Sequence, residues 1–406
     1  MQKIFSFLVL SLFVFNKCYS QSAWIQQLSG VGTQTLLGVS ITDINTGYVC
    51  GVNGLILKTT NGGTNWVTVP TGTTKFIRSI KFVNANTGYA AGESGLILKT
   101  TNGGANWSDQ TITTANAFVN INFYNELTGT ACGQNGLVAS TTNGGANWNV
   151  QTSNVTVELT EVCYTNSATA YASGFGGTIL RTTNNGVNWT SQVSTVTNDL
   201  RAVYFTNEST GIVTGIGGKI LRTTNSGLNW TSISSGAIND LYSVFFSNEN
   251  TGTAVGTGKV LRTTDGGLTW LSQPINYVND LYSVCFANET TGWAVGQQGA
   301  IFKTIRGGVG IRQVSGTVPE KFALLQNYPN PFNPTTKIKF NIAANGITKI
   351  TIVDINGREV EVINDKIITR GQYEFTWNAL HLPAGIYFCR LENENFNQTL
   401  KMILLK

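Results

Sequence analysis

The stretch "TTNGGTNW" occupies residues 59–66 and returns as "TTNGGANW" at 100–107 and 141–148, as "TTNNGVNW" at 182–189, as "TTNSGLNW" at 223–230 and as "TTDGGLTW" at 263–270. Its tryptophans fall at 66, 107, 148, 189, 230 and 270, a period of 41 that is once 40. Self-similarity at such a period marks a stacked architecture, in which each unit buries its apolar face only against its neighbours.

Each unit contains four short strand patterns. The first is aromatic and alternating, as in "RAVYFTN" at 201–207 and "YSVFFSN" at 242–248, and a Thr-Gly turn such as Thr210-Gly211 follows it. The second is short and small, as in "GYAAG" at 88–92 and "GTAVG" at 252–256. A glycine-rich turn, "GESG" or "GIGG", leads to the third, "LILKTT" at 96–101 or "KILRTT" at 219–224. The quoted motif then turns the chain into a fourth strand that opens with Trp. Four strands in about forty residues make one propeller blade. In the turn, Asn61 caps the backbone through its side chain, Gly63 takes the positive φ the bend demands, and Trp66 folds onto apolar surface.

First-strand patterns begin near residues 37, 78, 119, 160, 201, 242 and 282, which makes seven units. The seventh, "AIFKTIRGGVG" at 300–310, lacks its tryptophan, whereas "AWIQQ" at 23–27 resembles "NWTSQ" at 188–192. The N-terminus is therefore expected to supply the outer strand of the seventh blade, with Trp24 in the place of Trp189, closing the ring and removing free edges. The fold class is read as all-β: a seven-bladed β-propeller over residues 21–310, a linker over 311–318, and a small Ig-like β-sandwich over 319–406.

Bulk composition agrees. The chain has 406 residues, only 12% of them charged, with 45 Gly and 7 Pro, which favours many short strands and tight turns over helices. The net charge of +5 is spread thinly and no Lys/Arg run occurs, so a nucleic-acid partner is not expected. Residues 1–20 read as a signal peptide: Lys3, a largely apolar run over 4–15 too short to span a membrane, then small residues and a cut after Ser20. Cys18 raises a lipoprotein anchor, but "FNKC" lacks the small residues that normally precede the lipidated cysteine. Cys50, Cys132, Cys163 and Cys285 stand where other units place Ala91, Val255, Tyr204 and Phe245, so they read as core hydrophobes. With Cys389 they show no metal-ligand spacing, and no cofactor is expected.

The turn motif resembles the Asp-box, Ser/Thr-x-Asp-x-Gly-x-x-Trp, of BNR and sialidase-type propellers. Asn61, Asn102, Asn143, Asn184 and Asn225 take the Asp place and Asp265 alone keeps the acid. The fuller unit is similar to the propeller family of the photosystem II assembly factor. Beyond residue 310, "NYPNPFNPTTKIKF" (327–340), "VDINGREV" (353–360), "LPAGIYF" (382–388) and "KMILLK" (401–406) resemble the type A sorting domain of the type IX (Por) secretion system. That resemblance implies the type IX machinery as partner of residues 319–406 and a secreted or outer-surface destination reached through the periplasm.

Chemistry on the propeller is sparse. The one histidine, His381, lies in the C-terminal domain, which leaves no His-based triad, and the arginine motif that precedes the first Asp-boxes of sialidases is missing. Three units enter their first strand through "NDL", placing Asp199, Asp240 and Asp280 near one channel mouth with Glu93, Gln134, Gln297 and Gln298 from the glycine-rich turns. Such a set can attract a cation or hydrogen-bond a sugar, or cap turns. Lys58, Lys99, Arg181, Arg222, Arg262 and Lys303 share one place in the third strand, broken by Ser140. They read either as a solvated face or as a basic band for an acidic partner or polysaccharide. The expected function is a secreted or surface-attached binding module for a polysaccharide or protein. A glycan-active hydrolase of sialidase-like architecture and an assembly scaffold are the alternatives.

Overall fold

The computed structural model describes residues 24–305, 311–315, 319–379 and 382–405; the expected signal peptide, Cys18 and His381 lie outside them. The chain divides into two compact units, one spanning Ser22–Gly310 and one containing Ile311–Lys406.

In the first unit the described residues form seven four-stranded antiparallel sheets. Six of them run in chain order, the first being Leu36–Ile41, Gly47–Gly51, Ile56–Thr59 and Val67–Val69. The seventh takes Leu281–Phe286, Gly292–Gly296 and Ile301–Thr304 from one end of the unit and Ile25–Gln27 from the other, with Ile25 opposite Lys303. The sheets are blades of a propeller, numbered one to seven from Leu36.

The second strand of every blade is buried along its whole length. Its small residues let neighbouring sheets approach closely. A Cβ on Gly88 would lie 2.7 Å from the Phe82 ring. Between blades an aromatic trio repeats: Tyr48 of blade one stacks on Phe82 of blade two at 3.6 Å, and Trp107 meets the same ring edge-on at 6.0 Å. Tyr89, Phe123 and Trp148 repeat it, as do Tyr171, Phe205 and Trp230. Trp24, 1% exposed, takes the box tryptophan's place in blade seven, edge-on to Phe286 at 5.8 Å.

Blades seven and one are joined by polar ties as well. Val39 N donates to Ser283 Oγ (3.3 Å) and Lys303 Nζ to Gly62 O (2.7 Å). Trp293 Nε1 donates to Gln27 Oε1 (3.1 Å), whose amide in turn reaches Gly62 O (3.2 Å).

The second unit packs two four-stranded sheets around one core that includes Ile338, Phe340, Ile350, Phe375, Trp377 and Met402. Its first sheet contains Arg312–Ser315, which pairs with Gly371–Asn378, Arg312 lying opposite Glu374. Part of the expected 311–318 linker is thus a strand of this domain. Ile311, 5% exposed, anchors it in the core, and the strand covers an edge that would otherwise be open.

Candidate ligand site in the propeller channel

The box turn is closed on itself. Thr100 Oγ1 donates to Asn102 Oδ1 (2.9 Å) and accepts from Gly104 N (3.0 Å), while Asn102 Oδ1 also accepts from Asn106 N (3.0 Å). The same three bonds recur at Asn61, Asn143, Asn184 and Asn225. Asp265 adds a bond from the Thr269 hydroxyl to its second oxygen. Burial pulls its carboxyl up, but the donors from Thr269, Thr263 and Leu268 win and hold it below the usual range. These oxygens are occupied by the fold.

Four cations of the third strand, Lys58, Lys99, Arg222 and Lys303, are occupied too. Lys58 Nζ donates to Gly103 O (2.7 Å), Lys99 Nζ to Gly144 O (2.6 Å) and Arg222 Nε to Gly266 O (2.8 Å), each reaching the box of the next blade. Tyr48 and Tyr89 hydroxyls converge on the same Gly103 and Gly144 oxygens. Arg181 lies over the Tyr171 ring at 5.8 Å, burial lowers the Arg262 guanidinium to about 10, and among the described residues the Nε atoms of both are buried without an acceptor. At Ser140 the pattern changes: Thr130 replaces the tyrosine and bonds Tyr164 Oη at 2.6 Å, which donates to Asn185 Oδ1 at 3.1 Å. Four of the six cations thus clamp one blade to the next.

At the mouth from which the first strands start, each aspartate holds the loop of the preceding blade. Asp199 Oδ1 accepts from Gly176 N (3.0 Å), Asp240 Oδ1 from Gly217 N (2.9 Å) and Asp280 Oδ1 from Thr257 Oγ1 (2.6 Å). Glu93 and Gln134 instead cap Phe76 N and Ala117 N at 3.0 Å. Gln298 sits in the left-handed region of its turn, at φ 53°. Gln297 joins the Asp280 group: its Nε2 donates to Asp280 Oδ2 and to Tyr282 Oη, both at 2.9 Å. Tyr282 donates to that same Asp280 oxygen at 3.2 Å. Of the expected mouth residues the structure therefore brings Asp280 and Gln297 together, while Glu93 and Gln134 stay in their own turns. Glu158 stands at the aspartate position in blade four, and the "NDL" pattern overlooks it because its triplet is "VEL".

The innermost strands enclose a cavity of about 510 Å³. The third residue of each such strand faces the next blade. Ser79 Oγ accepts from Ile121 N (3.2 Å), Asn120 Oδ1 from Val162 N (3.3 Å) and Ser243 Oγ from Val284 N (3.3 Å). Glu161 fills this place in blade four, its Oε2 accepting from Val203 N at 3.1 Å. It lines the cavity, and burial pushes the carboxyl up to about 8 against the opposing pull of the Val203 N–H and the Lys81 charge. The second residue of the strand is Arg78 in blade two and Arg201 in blade five, with Tyr242 and Tyr282 in the last two blades. Among the described residues the Nε atoms of Arg78 and Arg201 are buried without an acceptor. Arg201 lies over the Phe175 ring at 4.6 Å and near Tyr242 at 6.0 Å, and the Tyr242 and Tyr282 rings are 5.3 Å apart. Sequence reading by shared motif missed this group. Its signal was the opposite one, departures from the repeat at Arg78, Lys81, Glu161 and Arg201.

Among the described residues no three His, Cys, Asp or Glu side chains are placed to hold a metal ion, and no helix is long and apolar enough to cross a membrane. Burial raises the Cys163 thiol to about 12, the setting of an unreactive core cysteine.

Residues 326–405 match the family model of the secretion system C-terminal sorting domain. The C-terminal unit is a secretion sorting domain. Such a domain marks the chain for type IX export, to the cell surface or beyond. Residues 17–114, which include the first two blades, match the model of the photosynthesis system II assembly factor YCF48. Among solved structures, YCF48 bound to D1 peptide is 22% identical, with a TM-score of 0.60 over 70% of this chain and 95% of that one. YCF48 from Cyanidioschyzon merolae is 20% identical, with a TM-score of 0.59 over 70% and 98%. The WD40 β-propeller domain of Doa1 is 12% identical, with a TM-score of 0.56 over 69% and 96%. These likenesses establish the propeller fold ahead of the sorting domain. No curated protein matches the sequence.

Proposed function

We propose that the chain is exported through its sorting domain and acts at the cell surface or in the medium as a binding module whose ligand enters the propeller channel. The single observation that carries this reading is the meeting, in one cavity, of two arginines with unpartnered buried Nε atoms and a tyrosine pair backed by Asp280 and Gln297. Elsewhere on the propeller the box oxygens are bonded within their own turns, and Asp199 with Lys58, Lys99, Arg222 and Lys303 joins neighbouring blades. Asp240 supports the site more directly, its Oδ2 lying 3.4 Å from the Tyr242 hydroxyl. A pocket of this size fits a small ligand or the end of a longer one, since such sites run from about 300 to 1,000 Å³.

A peptide ligand is the second reading, favoured by the structural neighbour solved with a D1 peptide. A glycan array and a peptide library screened with the full chain decide between them, and turnover of any glycoside in the same screen would replace binding with catalysis. Export is tested by removing residues 311–406. The truncated chain should accumulate in the periplasm, and its arrival in the medium at the full-length level would refute the sorting role.

A further inference from the structure

Building on the channel reading, we propose that the ligand is an anionic saccharide, a sugar bearing a carboxylate or a sulfate ester, seated in the channel between Arg78 and Arg201. The two arginines hold the same register position three blades apart in a ring of seven, so they approach the channel from opposite sides. Their counterparts in the other blades are Leu37, Val119, Thr160, Tyr242 and Tyr282; the repeat does not require a cation there.

A buried guanidinium N–H without an acceptor is a standing cost, and an oxyanion removes it with the planar two-point geometry that arginine favours. Lys81 adds a third cation to the lining. The opposing carboxyls are Glu158 and Glu161, and the second is mainly protonated at neutral pH because burial raises it to about 8. Asp240 and Asp280 stand behind the tyrosines at the mouth, so it is the local grouping of Arg78, Lys81 and Arg201 on the lining, and not the net charge, that offers an anion its partners.

The rest of the lining selects the body that carries the charge. Tyr242 and Tyr282 hold the same strand position as the arginines and line the cavity with tilted rings 5.3 Å apart, and the Tyr282 hydroxyl is fixed by Asp280 and Gln297. Flat aromatic faces rimmed by fixed hydrogen-bonding groups suit a pyranose, whose faces are C–H and whose edges are hydroxyl. A peptide C-terminus would satisfy the arginines and leave the tyrosine pair without a role.

The test uses the full chain and calorimetric titration with four probes: trigalacturonate, a sulfated galactose trisaccharide, the neutral galactose trisaccharide, and a hexapeptide with a free C-terminus. At least one anionic sugar should bind tenfold or more tighter than the neutral one, and Arg78→Gln and Arg201→Gln should each weaken it tenfold or more at an unchanged melting temperature. Arg201→Lys keeps the charge without the fork and should fall between. Equal affinity for charged and neutral sugars, or tighter binding of the peptide, overturns the anionic saccharide and leaves the binding module standing. Sugar binding that ignores both arginine variants removes the channel as the site. Failure of all four probes, together with a blank glycan array and peptide screen, removes both readings.

Discussion

The turn between the third and fourth strands and the innermost strand have diverged in opposite ways. The turn keeps Thr, Asn or Asp, Gly and Trp through six blades, and its side-chain oxygens are bonded within the turn. The innermost strand keeps only what packing demands, a buried apolar residue at its first position, a buried aliphatic at its fourth and, in five blades, Phe at its sixth. Its channel-facing positions change from Leu37 to Arg78 to Tyr242, and from Ser79 to Glu161. Uniformity therefore marks where the repeat carries the fold, and departure marks where one blade does something its neighbours do not. The Asp-box attracts the eye in the sequence, yet the channel holds the charged departures from the repeat.

This contrast can be broken at several points. Trp24→Ala should have the largest effect, about 3 to 5 kcal/mol by chemical denaturation, because it empties the aromatic site that joins the two ends of the ring. Trp148→Ala should cost less, since that side chain is only half-buried. An unchanged melting temperature for Trp24→Ala would eliminate closure by the N-terminal strand. Thr100→Val should cost about 1 to 3 kcal/mol, because it leaves the Gly104 N–H buried without its acceptor.

Glu161 gives a pH signature. Its folded value of about 8 stands above the ordinary 4.5, so the folded state keeps a proton that the unfolded chain has lost between those values. Stability should fall as pH rises through that window and level off above it, and Glu161→Gln should flatten the profile. Identical pH profiles for the two proteins would contradict the buried carboxyl. Asn102→Asp should have the smallest effect, within about 0.5 kcal/mol of wild type, since Asp265 accepts the corresponding bonds in blade six.

Much of the fold was legible because a period of 41 with four strand patterns leaves few architectures, and "AWIQQ" named the strand that completes blade seven. The 312–315 strand was not legible: four residues beside Gly-rich stretches carry no period, and only long-range pairing with Gly371–Asn378 makes them a strand. Asp199, Asp240 and Asp280 share one register position in the sequence, but their partners, Gly176, Gly217 and Thr257, belong to the preceding blade and no local pattern reveals them. The partners of Lys58, Lys99 and Arg222 were hidden for the same reason. An alternating Lys or Arg looks solvated in one blade and becomes a clamp only when the next blade's glycine carbonyl stands within 3 Å.

The division of labour is tested most directly by measuring melting temperature and affinity for the tightest-binding anionic trisaccharide in two full-length variants, Arg201→Gln and Thr100→Val. Arg201→Gln should melt with the wild type and bind at least tenfold more weakly, whereas Thr100→Val should melt earlier and, below its transition, bind as the wild type does. Loss of stability without loss of binding in Arg201→Gln would contradict the account, because the innermost strand would then be scaffold like the turn.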